Sequence, residues 1–332
     1  MTYAETIGDG YLALEAELER HRVALTGYCY RMLGSVFEAD DAVQETMLRA
    51  WRALGRYEGR ASVRSWLFRI ATNVCIDLLN GRRRRALPMD LGPASPGDRE
   101  VAGPAHDIPW MTPVPDGRVI DPTGDPAEQA VARDSIRLAF VAALQHLGPR
   151  PRAVLILRDV LGWSANDVAA VLDTTATAVH SLLQRAHRTL AAAGAATDTG
   201  GAGSLSTADR ALLARYVDAF VRYDVEALLA VIHEDATVSM PPNREWLWGR
   251  ASIERWWRGP GSECRGSRVL PTSANGTPAL GVYRPRPDGT FGAFAIQVVE
   301  MSTGLITGIH NFLEPDLFPL FGLPARLTSD GN

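Results

Sequence analysis

Arg69, Asn73, Asp77, Asn80 and Arg84 recur three or four residues apart and end in a run of four consecutive arginines, Arg82–Arg85. Amides and carboxylates pair with base edges, and guanidiniums bind phosphate, so this set suits reading a nucleic acid while gripping its backbone. Adjacent guanidiniums repel one another unless a polyanion lies against them. The same stretch, SVRSWLFRIATNVCIDLLNGRRRR from Ser62 to Arg85, places Trp66, Leu67, Ile70, Ala71, Val74, Cys75, Leu78 and Leu79 at helical spacing. The spacing predicts one helix with a packing face and a reading face. A plain amphipathic surface helix has the same periodicity, and the arginine run is what points beyond it to nucleic acid.

A second set lies downstream. Ser164–Leu190 has the form of a helix-turn-helix: Ser164 as cap, a short helix turning Val168, Ala169 and Leu172 inward, a turn at Asp173–Thr175, then a helix with Val179, Leu183 and Ala186 inward. Its second helix presents Thr175, Thr177, His180, Ser181, Gln184, Arg185 and Arg188 outward. Helix pairs of this kind also occur in plain helical bundles, so the pairing with the upstream arginines carries the DNA reading.

These residues need elements to hold them. At 332 residues, 46% hydrophobic and 22% charged, the chain is a globular protein of two or three units. The net charge of -4 is unevenly spread. Glu5, Asp9, Glu15, Glu17, Glu19, Glu38, Asp40, Asp41 and Glu45 face only Arg20, Arg22 and Arg31 in the first 45 residues. From there to Arg85, Arg49, Arg52, Arg56, Arg60, Arg64, Arg69 and the final run face only Glu58 and Asp77. All 34 basic residues are arginine, which we read as a coding bias toward G and C. Cys29, Cys75 and Cys264 are few and scattered, so neither a disulfide framework nor a metal site is expected. No apolar run reaches the roughly 20 residues that span a bilayer, and the N-terminal stretch is acidic. A reducing, cytoplasmic location and no membrane partner are the expectation.

Helical patterns cover Tyr11–Met32, Phe37–Leu54 and the long segment above. From Leu87 to Ala127 prolines crowd between glycines and polar residues, and this stretch is expected to link rather than pack, apart from the apolar island PWMTPVPD with Trp110 and Met111. Helical periodicity resumes at Glu128, and AAAGAATDTGGAGSLSTAD forms a second linker. Beyond it, ADRALLARYVDAFVRYDVEALLAVI reads as helix, and ATVSM, RVLPTSA, ALGVYRP, TFGAFAIQVVEM and LITGIHNFL read as strands, an α+β unit.

Taken together, DDAVQETMLRAW, RSWLFRIATNVCIDLLNGRRRR, the proline-rich connector and LILRDVLGWSANDVAAVLDTTATAVHSLLQRAHRTL resemble the extracytoplasmic-function sigma factors of bacterial RNA polymerase. The tail, through DAFVRYDVEALLAVIHEDATVSMPP, ANGTPALGVYRP and FLEPDLFPLFGLP, resembles the SnoaL-like branch of the nuclear-transport-factor-two-like fold. The resemblance implies a multidomain fold: two all-α sigma domains at 10–86 and 128–193, linkers at 87–127 and 194–206, and a cone-shaped α+β domain at 207–325. It implies core RNA polymerase, through its beta and beta-prime subunits, and promoter DNA as partners.

By the same resemblance, Asp40, Asp41, Gln44 and Glu45 would grip the clamp helices of the largest polymerase subunit. Tyr57, Gly59 and Arg60 would sit in the loop that captures a flipped base of the minus-ten element, with Arg69, Asn73, Asp77 and Arg82, Arg83, Arg84 and Arg85 along that element. The connector would thread toward the RNA exit path. The second helix of the helix-turn-helix would enter the major groove at the minus-35 element, although His180 and Leu182 stand where the family commonly has basic residues.

A cone of this kind encloses a pocket, with Tyr216, Met240, Trp248, Tyr283, Gln297 and His310 as candidate lining and a small-molecule ligand as a candidate partner. Tyr223, Trp246, Trp256, Trp257 and Asn311 are further candidates, and Cys264 is expected in a surface loop. Nothing pairs His310, His233, Asp218 and Asp235 by spacing, so no catalysis and no cofactor are expected. The tail is expected to regulate, with FLEPDLFPLFGLP as a strap docking on the sigma domains or polymerase. A repressor acting without polymerase, and a bifunctional enzyme with an isomerase-like tail, are the alternatives.

Overall fold

The computed structural model describes residues 17, 19–57, 59, 61–100, 102–192 and 205–328. Arg60, most of the second linker and the first turns of the Tyr11–Met32 pattern lie outside them. The chain divides into two compact units, one of Met1–Arg84 with Gly117–Asp198, the other of Arg85–Asp116 with Thr199–Asn332.

The first unit is helical. α1 (Arg22–Leu33) is its central helix, with Leu25, Tyr28, Cys29, Met32 and Leu33 buried, and it stops at Gly34 in the left-handed region. Ser35 caps α2 (Val36–Ala53) by accepting from the Glu38 amide, and Ser62 caps α3 (Val63–Leu79) through the Ser65 amide. After Gly117 follow α4 (Pro126–Asp134), α5 (Leu138–Leu144) and α6 (Pro149–Leu155). Then come α7 (Ala165–Leu172), capped by Ser164 and ended by Asp173 at φ 51, and α8 (Ala176–Ala192).

Helices from both halves of the sequence share one core here. α3 packs on α6 and α7, and the Phe68 ring lies 5.1 Å from that of Trp163. Two buried arginines join the halves without any carboxylate. Arg31 donates to the Ser135 hydroxyl at 2.7 Å and to the Ala132 carbonyl at 3.2 Å. Arg152 donates to the carbonyls of Met32 and Leu147 and, at 2.8 Å, to the Gln145 side chain. Burial pushes both guanidiniums down to about 10, so they remain charged at neutral pH.

The second unit is a seven-stranded sheet covered on both faces. Its strands are β1 (Ile232–Ser239), β2 (Trp246–Trp248), β3 (Arg268–Ala274), β4 (Thr277–Pro285), β5 (Phe291–Ser302), β6 (Leu305–Phe312) and β7 (Arg326–Leu327). The order is β2-β1-β6-β5-β4-β3, with β7 on β5, and β1 runs parallel to β6 while the other pairs are antiparallel. On one face α9 (Thr207–Arg222), α10 (Val225–Ala230) and α11 (Arg250–Arg258) bury Tyr216, Phe220, Leu228, Ile253 and Trp257 against Val238, Leu280, Val282, Ala295 and Ile309.

The other face changes two expectations. FLEPDLFPLFGLP turns two of its apolar residues into its own sheet: Leu317 and Phe318 are fully buried, and Phe318 meets Tyr283 edge-on at 5.1 Å. Gly281 makes room for this strap, since a Cβ there would lie 2.6 Å from Leu323. The sheet needs cover on this face, and the strap supplies it. The proline-rich segment is likewise packed. Ser95 donates to the Trp246 carbonyl at 2.7 Å, Ala105 to that of Pro242 at 2.9 Å and Asn275 to that of Val114 at 3.0 Å. Gly97 approaches α11 so closely that a Cβ would stand 2.2 Å from the Ser252 oxygen. Trp110, Met111 and Val114 are buried. Composition predicted a linker because this segment packs through backbone hydrogen bonds, which leave no apolar period. Among the described residues no helix is long and apolar enough to cross a membrane.

Candidate functional site

α3 separates its two faces as its spacing predicts. Leu67, Phe68, Ala71, Thr72, Val74 and Cys75 are buried, and the Thr72 hydroxyl lies 2.8 Å from that of Tyr28; Arg69, Asn73, Asp77 and Asn80 are exposed. Trp66, read from its spacing as a packing residue, is only half buried and packs against Tyr57, ring centroids 4.8 Å apart and planes tilted by 33°. Tyr57 in turn donates to the Ala61 carbonyl at 2.5 Å. The pair offers an aromatic platform of the kind on which an unpaired base stacks. Arg82 pairs with Glu38 at 2.6 Å, and Arg84 lies 2.7 Å from the His146 ring nitrogen Nε2. Arg83 is exposed, and Arg85, in the second unit, donates to the Trp110 carbonyl.

On α8, Val179, Ala186 and Leu190 are buried, whereas Thr175, Thr177, His180, Ser181, Gln184, Arg185 and Arg188 are all exposed. Thr175 acts as a cap, its hydroxyl accepting from the Ala178 amide at 3.2 Å. His187, absent from the sequence reading, pairs with Asp159 at 2.7 Å.

α2 carries a third surface. Asp41 and Gln44 are exposed and Glu45 half-buried, and the stripe continues through Leu48 and Trp51, which are 49% and 64% exposed. Two large apolar side chains thus stand in water beside polar ones. Charge pattern alone missed both, although the spacing of Leu48 from Glu45 and Gln44, and of Trp51 three beyond Leu48, was readable. Asp40 turns aside to Arg118 at 2.9 Å. Burial raises its carboxyl above the usual range against the lowering pull of Arg118.

The second unit holds a cavity of about 360 Å³ between its helices and sheet, and Tyr216, Met240 and Gln297 line it. The Tyr216 hydroxyl donates to Gln297 Oε1 at 2.8 Å, and Gln297 Nε2 donates to Asn311 at 2.7 Å. Burial raises the Tyr216 phenol far above its ordinary range, so it stays protonated. The other three candidate lining residues lie elsewhere. Trp248 is 57% exposed on the edge strand. Tyr283 faces the strap, donating to the Pro324 carbonyl at 2.9 Å. His310 bonds Ser239 at 2.8 Å and lies 3.6 Å from Glu300. Alternation along a strand explains both buried cases: Val282 faces the cavity, as do Ile309 and Asn311, so Tyr283 and His310 point to the opposite face. Cys264, expected on the surface, is half-buried and lines the cavity, as do Trp256, Trp257, Asn311 and Asn243. Among the described residues no group of histidine, cysteine and carboxylate side chains could hold a metal.

Comparison with known proteins follows this division. Residues 18–85 match sigma-70 region 2, 137–190 match sigma-70 region 4, and 213–309 match the SnoaL-like domain. The extracytoplasmic-function RNA polymerase sigma factor SigG of Mycobacterium tuberculosis is 41% identical over 318 residues, 94% of this chain and 84% of that protein. The sigma factor CnrH of Cupriavidus metallidurans is 34% identical over 174 residues, 52% of this chain and 82% of the relative. Among solved structures, the extracytoplasmic-function sigma factor SigJ of M. tuberculosis shares the fold with a TM-score of 0.61 at 22% identity, over 93% of this chain and 99% of that one.

Proposed function

The chain belongs to the extracytoplasmic-function RNA polymerase sigma factors and is a promoter-recognising factor with a C-terminal SnoaL-like extension, and from that premise we propose how its surfaces divide the work. α2 docks on core RNA polymerase through Asp41, Gln44, Glu45, Leu48 and Trp51, with Asp40 held beside them by Arg118. Charged and amide groups give the contact its register, and the two apolar side chains give it affinity. α3 lies along the minus-ten element: Tyr57 and Trp66 stack an unpaired base, Asn73 and Asp77 meet base edges, and Arg69 and Arg82–Arg84 hold phosphates. α8 enters the major groove at the minus-35 element, with Gln184 suited to adenine and Arg185 and Arg188 to guanine or phosphate.

The observation that carries this reading is the exposure of every polar residue on α3 and α8 that could meet DNA, each backed by a buried apolar face. The SnoaL-like domain regulates by holding the connector and has no catalytic role. The hydrogen bonds that tie Ser95 and Ala105 to that domain support this, as does the placement of His310 away from the cavity. The protein acts in the cytoplasm, where its polymerase is. In vitro transcription with core polymerase and the full chain tests the assignment. Replacing Arg82, Arg83 and Arg84 with alanine should cut open-complex formation at least tenfold and flatten its salt dependence; unchanged promoter opening would overturn it.

A further inference from the structure

Ala24, Gly27 and Arg31 fall three and four residues apart on α1 and so share one face of that helix. Beside it the first unit holds a cavity of about 630 Å³. Its walls come from both sigma regions. Ala24 and Arg31 on α1 and Arg64 in the first turn of α3 lie within the region 2 match, and Val160 and Leu161 lie within the region 4 match. Val119 and Val131 extend the aliphatic lining.

Arg31 gives the cavity its chemical character. It is 3% exposed, yet the acceptors it meets are neutral. Nε and Nη2 donate to the Ser135 hydroxyl at 3.1 and 2.7 Å, and Nη2 also donates to the Ala132 carbonyl at 3.2 Å. Nη1 makes no hydrogen bond among the described residues. Gly27 keeps the approach to it clear, since a Cβ there would stand 2.9 Å from Nη1.

A charge taken from water without a counter-charge is costly, and an oxyanion supplies charge and acceptors together. The remaining charged groups of the lining do not fill that role. Arg20 pairs with Glu17 at 2.6 Å, and His21 lies 3.6 Å from the same carboxylate. Asp121 and Glu128 are exposed, and Asp121 accepts from the amide and hydroxyl of Thr123 at 2.8 and 2.7 Å. Arg64 has no carboxylate partner among the described residues, and its guanidinium lies over the Trp163 ring, 5.3 Å from the centroid. The cavity therefore sets two guanidiniums without counter-charge beside an aliphatic wall.

We infer that this cavity binds an organic oxyanion, a phosphate or carboxylate on a short aliphatic body, through Arg31 and Arg64, and that its occupancy holds regions 2 and 4 together. The second half of the inference rests on the reading of those regions as the promoter-binding surfaces. Binding itself is measured without polymerase or DNA, so its failure is separable from a failure of promoter recognition.

With the full chain, calorimetry compares four probes of one chain length: octyl phosphate, octanoate, 1-octanol and octylamine. At least one of the two anions should bind tenfold or more tightly than the alcohol and the amine, and the comparison between them separates phosphate from carboxylate. Arg31→Met should erase that preference. Arg64→Gln, at an exposed position that the fold does not depend on, should reduce it several-fold while leaving 1-octanol binding unchanged. Ala24→Trp, which fills the cavity from the helix surface, should abolish binding of every probe. Equal binding of anions and alcohol, a preference for the amine, or anion binding that survives Arg64→Gln and Ala24→Trp would overturn the site. A ligand that binds only the packed form, at ten times its Kd, should cut promoter-directed transcription by core polymerase about tenfold. The Ala24→Trp chain should be insensitive to the same addition. Tight anion binding that leaves transcription by the parent unchanged would overturn the coupling.

Discussion

Single residues decide how the first unit is held, and Arg152 is the clearest case. Its guanidinium is 4% exposed and serves the carbonyls of Met32, Gln145 and Leu147, so its removal strands several acceptors at once. Arg152→Met should destabilise the first unit by about 2–4 kcal/mol, and Arg152→Lys, with three donors, should recover part of the loss; urea unfolding of the two variants checks the order. A variant as stable as the parent would show that water replaces the guanidinium without penalty. Neither role was legible in the sequence, where Arg31 and Arg152 looked like any other arginines. Each reaches a backbone carbonyl about a hundred residues away, Arg31 that of Ala132 and Arg152 that of Met32, and no local pattern marks such a bond. Tyr283 and His310 were misplaced for a related reason. Strand alternation is visible in the sequence, but both faces of this sheet are covered, so hydrophobicity could not tell which face held the cavity.

Elements with a strong period were the legible ones. α3, α7 and α8 were readable, α7 with its Ser164 cap, because each sets an apolar stripe against polar residues. β1, β3, β4, β5 and β6 fell on the runs expected of them, while β2 spans only Trp246–Trp248 and is too short to carry a pattern. The connector was illegible as structure, since proline and glycine mark turns whether or not the turns pack. α2 supports a prediction at this scale. Leu48 and Trp51 stand in water, so truncating them removes little from the folded chain, about 0.5 kcal/mol or less. If this stripe docks on polymerase, Leu48→Ala with Trp51→Ala should weaken core binding about 30-fold or more with an unchanged melting temperature. Fluorescence anisotropy against core enzyme measures the first and calorimetry the second. Equal affinity of parent and variant would remove α2 from the interface. On α8, Gln184→Ala should relax base preference at one minus-35 position, whereas Arg188→Ala should weaken all sequences alike; a selection from randomised promoters separates the two.

At the scale of the molecule, the packing of the first unit and the geometry of a promoter are in conflict. Elements centred near minus-ten and minus-35 are about 25 base pairs apart, or ~85 Å at ~3.4 Å per pair. A helix as long as α3 or α8, each 17 residues, covers only about 25 Å. α3 packs against α6 and α7 in one core, with Phe68 on Trp163, so if α3 and α8 read the elements proposed for them, they cannot reach both while that contact persists. Promoter binding must therefore separate regions 2 and 4, breaking the bonds of Arg31 and Arg152 and freeing Arg84 from His146. Guanidiniums buried without carboxylates make a seam that is specific yet inexpensive to open, because each regains water on exposure. The connector spans Arg85–Asp116, up to roughly 100 Å if fully extended, enough for the separation only if much of it leaves the SnoaL-like domain. Dyes on cysteines replacing the exposed Asn73 and Gln184 should show efficient energy transfer in the free chain. Transfer should nearly vanish in the complex with core polymerase and promoter, and if the proposed α2 contact forms before DNA is bound, core polymerase alone should produce most of that change. Retained transfer in an open complex that still makes transcript would mean that the two regions read DNA while packed, and the separation argument would fail.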